Sequence, residues 1–78
     1  MKQVGVDCRF NLDGSVSVNQ IFMDGEWLSV GQGRQWIDHE GRHVLIMLAG
    51  DEVGELVLQG ETMTWWLRQV GGGRPRVV

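Results

Sequence analysis

The first stretch of the chain follows a period of two: Val4, Val6, Cys8, Phe10 and Leu12 alternate with Gly5, Asp7, Arg9 and Asn11. In a pleated strand this sends one set toward a core and the other toward water. Asp13-Gly14 comes next and predicts a tight hairpin, because both central positions of the favoured two-residue turn need positive φ. Val16 and Val18 open a second strand, but Ile21 and Met23 have slipped phase. A bulge near Asn19-Gln20 would restore a common face. Asp24-Gly25 repeats the hairpin signal and leads into Glu26 to Val30, with Leu28 and Val30 on one face and Trp27 on the other.

Gly31-Gln32-Gly33 predicts a kink, Arg34 to Ile37 resumes a strand with Trp36 and Ile37 on opposite faces, and Glu40-Gly41 turns the chain. Val44-Leu45-Ile46-Met47-Leu48 is the one run of five large apolar side chains. A strand without alternation needs cover on both faces, so this run is predicted to be the central strand. After it, Leu56 and Leu58 oppose Glu55 and Val57, Gly60 turns the chain, and Thr62 to Val70 forms the last strand. There Met63, Trp65 and Leu67 alternate with Thr64, Trp66 and Arg68, so the adjacent Trp65 and Trp66 must lie on opposite faces.

The pattern predicts an all-β fold: an antiparallel meander of five or six strands forming a curled sheet or small partly open barrel. Residues 1–70 form a single small β domain and residues 71–78 a flexible Gly/Arg/Pro tail. The predicted core face collects Val4, Val6, Phe10, Leu12, Val16, Val18, Leu28, Ile46, Leu56, Leu58, Trp65 and Leu67. The other face holds Trp27, Trp36, Val57 and Trp66, which is too apolar for an ordinary solvated surface.

Composition sharpens this picture. A chain of 78 residues leaves no room for a deep cleft beside its own core. Twelve glycines against one proline suit short strands joined by many turns. A net charge of −3 argues against broad capture of nucleic acid or anionic membrane, which draws its affinity from Lys and Arg. One cysteine cannot form an internal disulfide, and no apolar stretch follows Met1-Lys2 as a signal peptide requires. No apolar run approaches the roughly 20 residues of a membrane span. A soluble, cytoplasmic chain is expected.

The order V-D-C-R-F-N-L-D-G-S-V, D-G-E-W-L-S-V, R-Q-W-I-D, G-R-H-V-L-I-M-L, G-E-L-V-L and W-W-L-R resembles a family of short bacterial β proteins. In that family a strand, a D-G turn, a G-x-W strand, a W-x-D segment and a final E-L to W-x-L hairpin recur. The resemblance covers about Val4 to Arg68, although Glu26-Trp27-Leu28 has fewer arginines than the family's G-x-W strand usually carries. It implies a small β domain and no established activity.

Three motifs bear on chemistry. His39-Glu40-Gly41-Arg42-His43 matches H-E-x-x-H, which binds zinc when both histidines project from one helix face and the glutamate activates water. Gly41 and the flanking β pattern oppose a helix, and Glu61 would be the nearest third ligand, so a solvated turn without metal or cofactor is expected. Cys8 lies in phase with Val6 and Phe10 and is read as a core residue. Gly31-Gln32-Gly33-Arg34 lacks the helix and lysine of a phosphate loop.

Trp36 with Arg34, and Trp66 with Arg68, interleave aromatic and basic side chains. The expectation is a non-enzymatic module that contacts protein, chiefly a second copy of itself, through Trp27, Arg34, Trp36, Val57, Trp66 and Arg68. One alternative is a small barrel that binds single-stranded nucleic acid through the same tryptophans and arginines. Another is a zinc-dependent hydrolase on His39, Glu40 and His43.

Overall fold

The computed structural model describes residues 1–72. The strands are β1 (Lys2–Phe10), β2 (Val16–Met23), β3 (Glu26–Ser29), β4 (Gly31–Asp38), β5 (Gly41–Leu48), β6 (Glu52–Gln59) and β7 (Thr64–Gly72), with a short 3-10 turn at Ala49–Asp51 before β6. They form one seven-stranded sheet in the order β3-β2-β1-β7-β6-β5-β4, and every pairing is antiparallel. The all-β antiparallel meander stands, with seven strands in place of five or six. The stretch from Glu26 to Ile37 is two strands because β3 pairs with β2 while β4 pairs with β5.

That division of partners explains the curvature. β3 and β4 are the two edges of the sheet, yet Val30 alone separates them. A chain can pass between opposite edges in one residue only if the sheet curls until those edges approach. Side chains then bridge the remaining gap between β2 and β4. The Val18 N–H donates to Gln32 Oε1 at 2.7 Å, and Gln32 Nε2 donates to the Val16 carbonyl at 2.8 Å. Gln35 contacts both backbone groups of Val16 at 2.9 Å, and Arg42 Nη1 donates to Gln35 Oε1 at 2.8 Å. Both glutamines reach inward because β4 bulges between them, so the predicted kink at Gly31-Gln32-Gly33 takes the form of a bulge.

The β1–β2 register shifts once, with Asp7 opposite Gln20 and Cys8 opposite Val18. The unpaired Asn19 is the bulge that the phase slip predicts, and it brings Val16, Val18 and Ile21 into one core. The two D-G turns differ. Asp24 and Gly25 both have positive φ, as a two-residue hairpin needs. At Asp13-Gly14 only Gly14 does, and the Gly14 N–H donates to the Asn11 carbonyl while the Asn11 N–H donates to that of Ser15. This is the three-residue hairpin loop, and it places Leu12 at the tip.

Inside the curl, Val4, Val16, Val18, Ile21, Val44, Ile46, Leu56 and Leu67 form the buried core, with Val6, Cys8, Met23, Leu28, Val30, Leu48 and Trp65 packed against it. Three expected core or strand positions fall outside. Leu12 is fully exposed at its turn, and Phe10 is 54% exposed because β1 pairs with β7 only over Lys2 to Val4. Met63 is exposed in the β6–β7 turn with φ 55°, so the last strand begins at Thr64. The apolar run lies in β5, second from one edge, and the middle strand is β7. Val44 and Ile46 are fully buried, whereas Met47 on the outer face is 43% exposed, so the run is covered on one side only at that end. β7 extends through Gly71 and Gly72, which pair with Val53 and Glu52. The rest of the predicted tail, residues 73–78, lies outside the described residues.

Candidate functional site

The register aligns a row of side chains across the outer face of the sheet. Trp36 of β4 stands opposite His43 of β5, His43 opposite Val57 of β6, Val57 opposite Trp66 of β7, and Trp66 opposite Gln3 of β1. Directly opposed residues in an antiparallel pair have their Cβ atoms about 5 Å apart, so the row is one continuous line of packed side chains. In the next row Leu45 opposes Glu55 and Glu55 opposes Arg68. Period-two geometry sets this face on β1, β5, β6 and β7, where these residues alternate with buried ones such as Val4, Val44, Leu56 and Leu67.

His43 is the centre of the face and is only 2% exposed. The indole of Trp36 stacks on its imidazole with centroids 5.0 Å apart and planes 3° apart. His43 Nδ1 lies 2.5 Å from Glu55 Oε2, and Nε2 lies 2.7 Å from Asp38 Oδ1. Ionised carboxylates only accept hydrogen bonds, so with both acids ionised the two ring nitrogens are donors, the pattern that favours the imidazolium form. Burial works against that charge, but the hydrogen bonds to Asp38 and Glu55 outweigh it and hold the pKa of His43 above its ordinary value. The same bond from His43 is the main force holding the Asp38 carboxyl below its usual range.

Other contacts complete the constellation. Asp38 Oδ1 also accepts from the Glu40 N–H at 2.9 Å, which shapes the turn between β4 and β5. Glu40 Oε1 lies 3.7 Å from His43 Nε2 and 3.3 Å from Arg68 Nη2. The Arg34 guanidinium lies 4.8 Å from the ring centroid of Trp36. Trp66 donates through Nε1 to Thr64 Oγ1 at 3.0 Å. Beside this cluster, an open groove runs between the β4–β5 and β6–β7 turns, lined in part by Asp38, Glu40, Gln59, Glu61 and Thr62.

Of the six residues predicted to bind, Arg34, Trp36, Val57, Trp66 and Arg68 share this face. Val57 is buried and supports the surface from beneath. Trp27 stands apart on β3, 51% exposed, with its ring 5.2 Å from that of Phe22. The H-E-x-x-H segment forms no helix. Asp38 pairs with Gly41 across a two-residue turn, His39 is exposed there, and His43 is already within β5. The expectation of a solvated turn is therefore corrected for His43, which is buried between carboxylates.

Sequence reasoning missed Asp38, Glu55 and His43 as a unit. The available signal was that His43 is in phase with Leu45 and Met47, and so lies on a strand face that also collects Val57 and Trp66. Cys8 packs against the core as expected, and burial, then the neighbouring Asp7, pushes its thiol pKa up. No helix is long and apolar enough to cross a membrane among the described residues. Comparison with protein-family models, with curated proteins and with solved structures gives no match for this chain.

Proposed function

We propose that the protein is a non-enzymatic β module of the cytoplasm that contacts a second copy of itself through the outer face of β4, β5, β6 and β7. The observation that carries this reading is the cross-strand row Trp36, His43, Val57 and Trp66, which lies on the side of the sheet opposite the core. Within one chain no second layer of secondary structure packs over this row among the described residues. Tryptophan and arginine are the side chains that most often anchor protein interfaces. Arg34 and Arg68 stand beside Asp38, Glu40 and Glu55 on the same face, and a surface that carries both signs of charge can complement itself across a two-fold axis.

Two features weigh against a nucleic-acid reading. Arg68 is directed to Glu40, which engages its guanidinium within the chain, and the net charge is −3. The likeness to short bacterial β proteins belongs to the same proposal and adds no activity to it. Sedimentation equilibrium at several concentrations is the test. A monomer–dimer equilibrium is expected; a single monomeric species at every concentration would overturn the reading.

A further inference from the structure

We propose that Asp38, Glu40 and His43 form a binding site for a divalent metal of the zinc class, with Glu55 as the positioning residue behind the histidine. One ligand atom from each of the three lies within 4.8 Å of the others. His43 Nε2 is 2.7 Å from Asp38 Oδ1 and 3.7 Å from Glu40 Oε1. A tetrahedral ion with bonds of about 2.0 to 2.1 Å holds its ligand atoms about 3.3 Å apart, so Asp38 has to draw back slightly from His43 and Glu40 has to close on it. Asp38 and Glu40 are exposed, so small rotations of their side chains bring the oxygens into place.

The histidine is prepared by its surroundings. Metal-bound histidines commonly donate their second ring N–H to a carboxylate, which fixes the tautomer and the ring plane. Glu55, itself largely buried, occupies that place on Nδ1 at 2.5 Å, and Trp36 stacked on the imidazole fixes its tilt. Metal binding replaces the Nε2 proton, which leaves to solvent, while the Nδ1–H to Glu55 bond is kept. Glu40 Oε2 lies 3.4 Å from Arg68 Nη2, so Arg68 can retain that oxygen while Oε1 turns to the ion. An imidazole nitrogen with two carboxylates suits zinc and its transition-metal neighbours better than magnesium or calcium, which favour all-oxygen sites. Asp38 and Glu40 also line the groove between the two turns, from which a water could supply a fourth ligand.

This site differs from the H-E-x-x-H reading in its ligands: Asp38 replaces His39, because a hairpin rather than a helix carries the segment. Its ligands lie on the face proposed for self-association, and calorimetry with zinc reads metal binding separately from assembly. The test is calorimetric titration of the metal-stripped full chain with zinc chloride. Saturation at one equivalent is expected, with affinity lowered at least tenfold in Asp38→Asn and in Glu40→Gln, unchanged in His39→Ala, and lowered in Glu55→Gln. Because His43 is buried and its substitution also removes packing, the two exposed carboxylates carry the decision. Cobalt bound in place of zinc should give the visible absorption of a tetrahedral centre, lost in Asp38→Asn. The absence of one-equivalent binding, its persistence in both carboxylate variants, or its loss in His39→Ala alone would each overturn the assignment.

Discussion

Trp36 lies parallel to His43, 5.0 Å from it, on the outer face of two neighbouring strands, and together they roof a charge that the fold has placed under cover. A buried imidazolium is tolerated only where its N–H groups are matched by acceptors. Here Asp38 and Glu55 supply them from β4 and β6. The local fold and the candidate chemistry are therefore one arrangement, since removing either carboxylate removes the condition for burying the ring.

The metal-free protein should show a stability maximum on the acidic side of neutrality. The charged groups facing His43 are Asp38, Glu40 and Glu55, with Arg68 behind Glu40. The pKa of His43 is raised on folding, so its contribution is fully present below its ordinary value of 6.5 and is lost as pH rises through the folded value. The pKa of Asp38 is lowered, so its contribution is present above 3.8 and is lost as pH falls through the depressed value. Urea midpoints measured with a chelator present should peak between 3.8 and 6.5 and decline on the alkaline side. In Glu55→Gln that alkaline decline should be smaller. A parent profile that rises through neutral pH would contradict the imidazolium.

Gly41 and Gly60 make a contrasting pair. Gly41 has φ 135°, and a Cβ there would lie 2.1 Å from the Leu58 carbonyl oxygen. Gly60 has φ outside the left-handed region and open space around it. Gly41→Ala should cost about 3 kcal/mol or more, through forced backbone conformation and overlap. Gly60→Ala should be neutral or stabilise by up to about 1 kcal/mol, by restricting the unfolded chain. Thermal melts of the two variants check this.

Much of the fold was legible because period two is a strong constraint. The bulge at Asn19, the opposite faces of Trp65 and Trp66, and the inward set of Val4, Val16, Val18, Leu56 and Leu67 all follow from counting positions. Pairing partners were less legible. Nothing in Glu26 to Ile37 states that its first half joins β2 and its second half β5, since that choice depends on how far the sheet curls. Exposure at strand ends was also hidden, because Phe10 keeps the phase of Cys8 but runs past the covered length of β1. The His43 cluster was missed for a related reason. Asp38 and Glu55 lie 5 and 12 residues from His43 in sequence, and only the β5–β6 register brings Glu55 beside it.

Gln32 and Gln35 should matter more than two partly exposed polar residues ordinarily do. They satisfy backbone groups of Val16 and Val18 that no neighbouring strand reaches. Gln32→Ala leaves the Val18 N–H without its acceptor, at an expected cost of about 1 to 3 kcal/mol. Amide hydrogen exchange gives the specific readout: protection at Val18 should fall more in Gln32→Ala than in Gln35→Ala, and protection at Val16 the reverse. Equal protection in both variants would mean that the glutamines do not close the sheet.

Trp65 and Trp66 stand side by side in β7 and should respond differently to the same substitution. Trp65 opposes Leu58 and Val4 and packs against the core. Trp66 opposes Val57 and Gln3 on the outer face and donates its N–H to Thr64. Trp65→Ala should destabilise the domain by about 3 kcal/mol, the low end for a buried aromatic because the ring is only partly covered. A domain of this size has little stability to spare, so a largely unfolded variant is the expected extreme. Trp66→Ala should cost less, since its ring covers Val57 rather than filling the interior, and should shift assembly toward monomer, as loss of an interface anchor does. Thermal melts combined with sedimentation on both variants separate the two effects. If Trp66→Ala proved the less stable chain, or assembled like the parent, the outer face would be a self-contained cover over Val57 and His43 rather than the surface that meets a second copy.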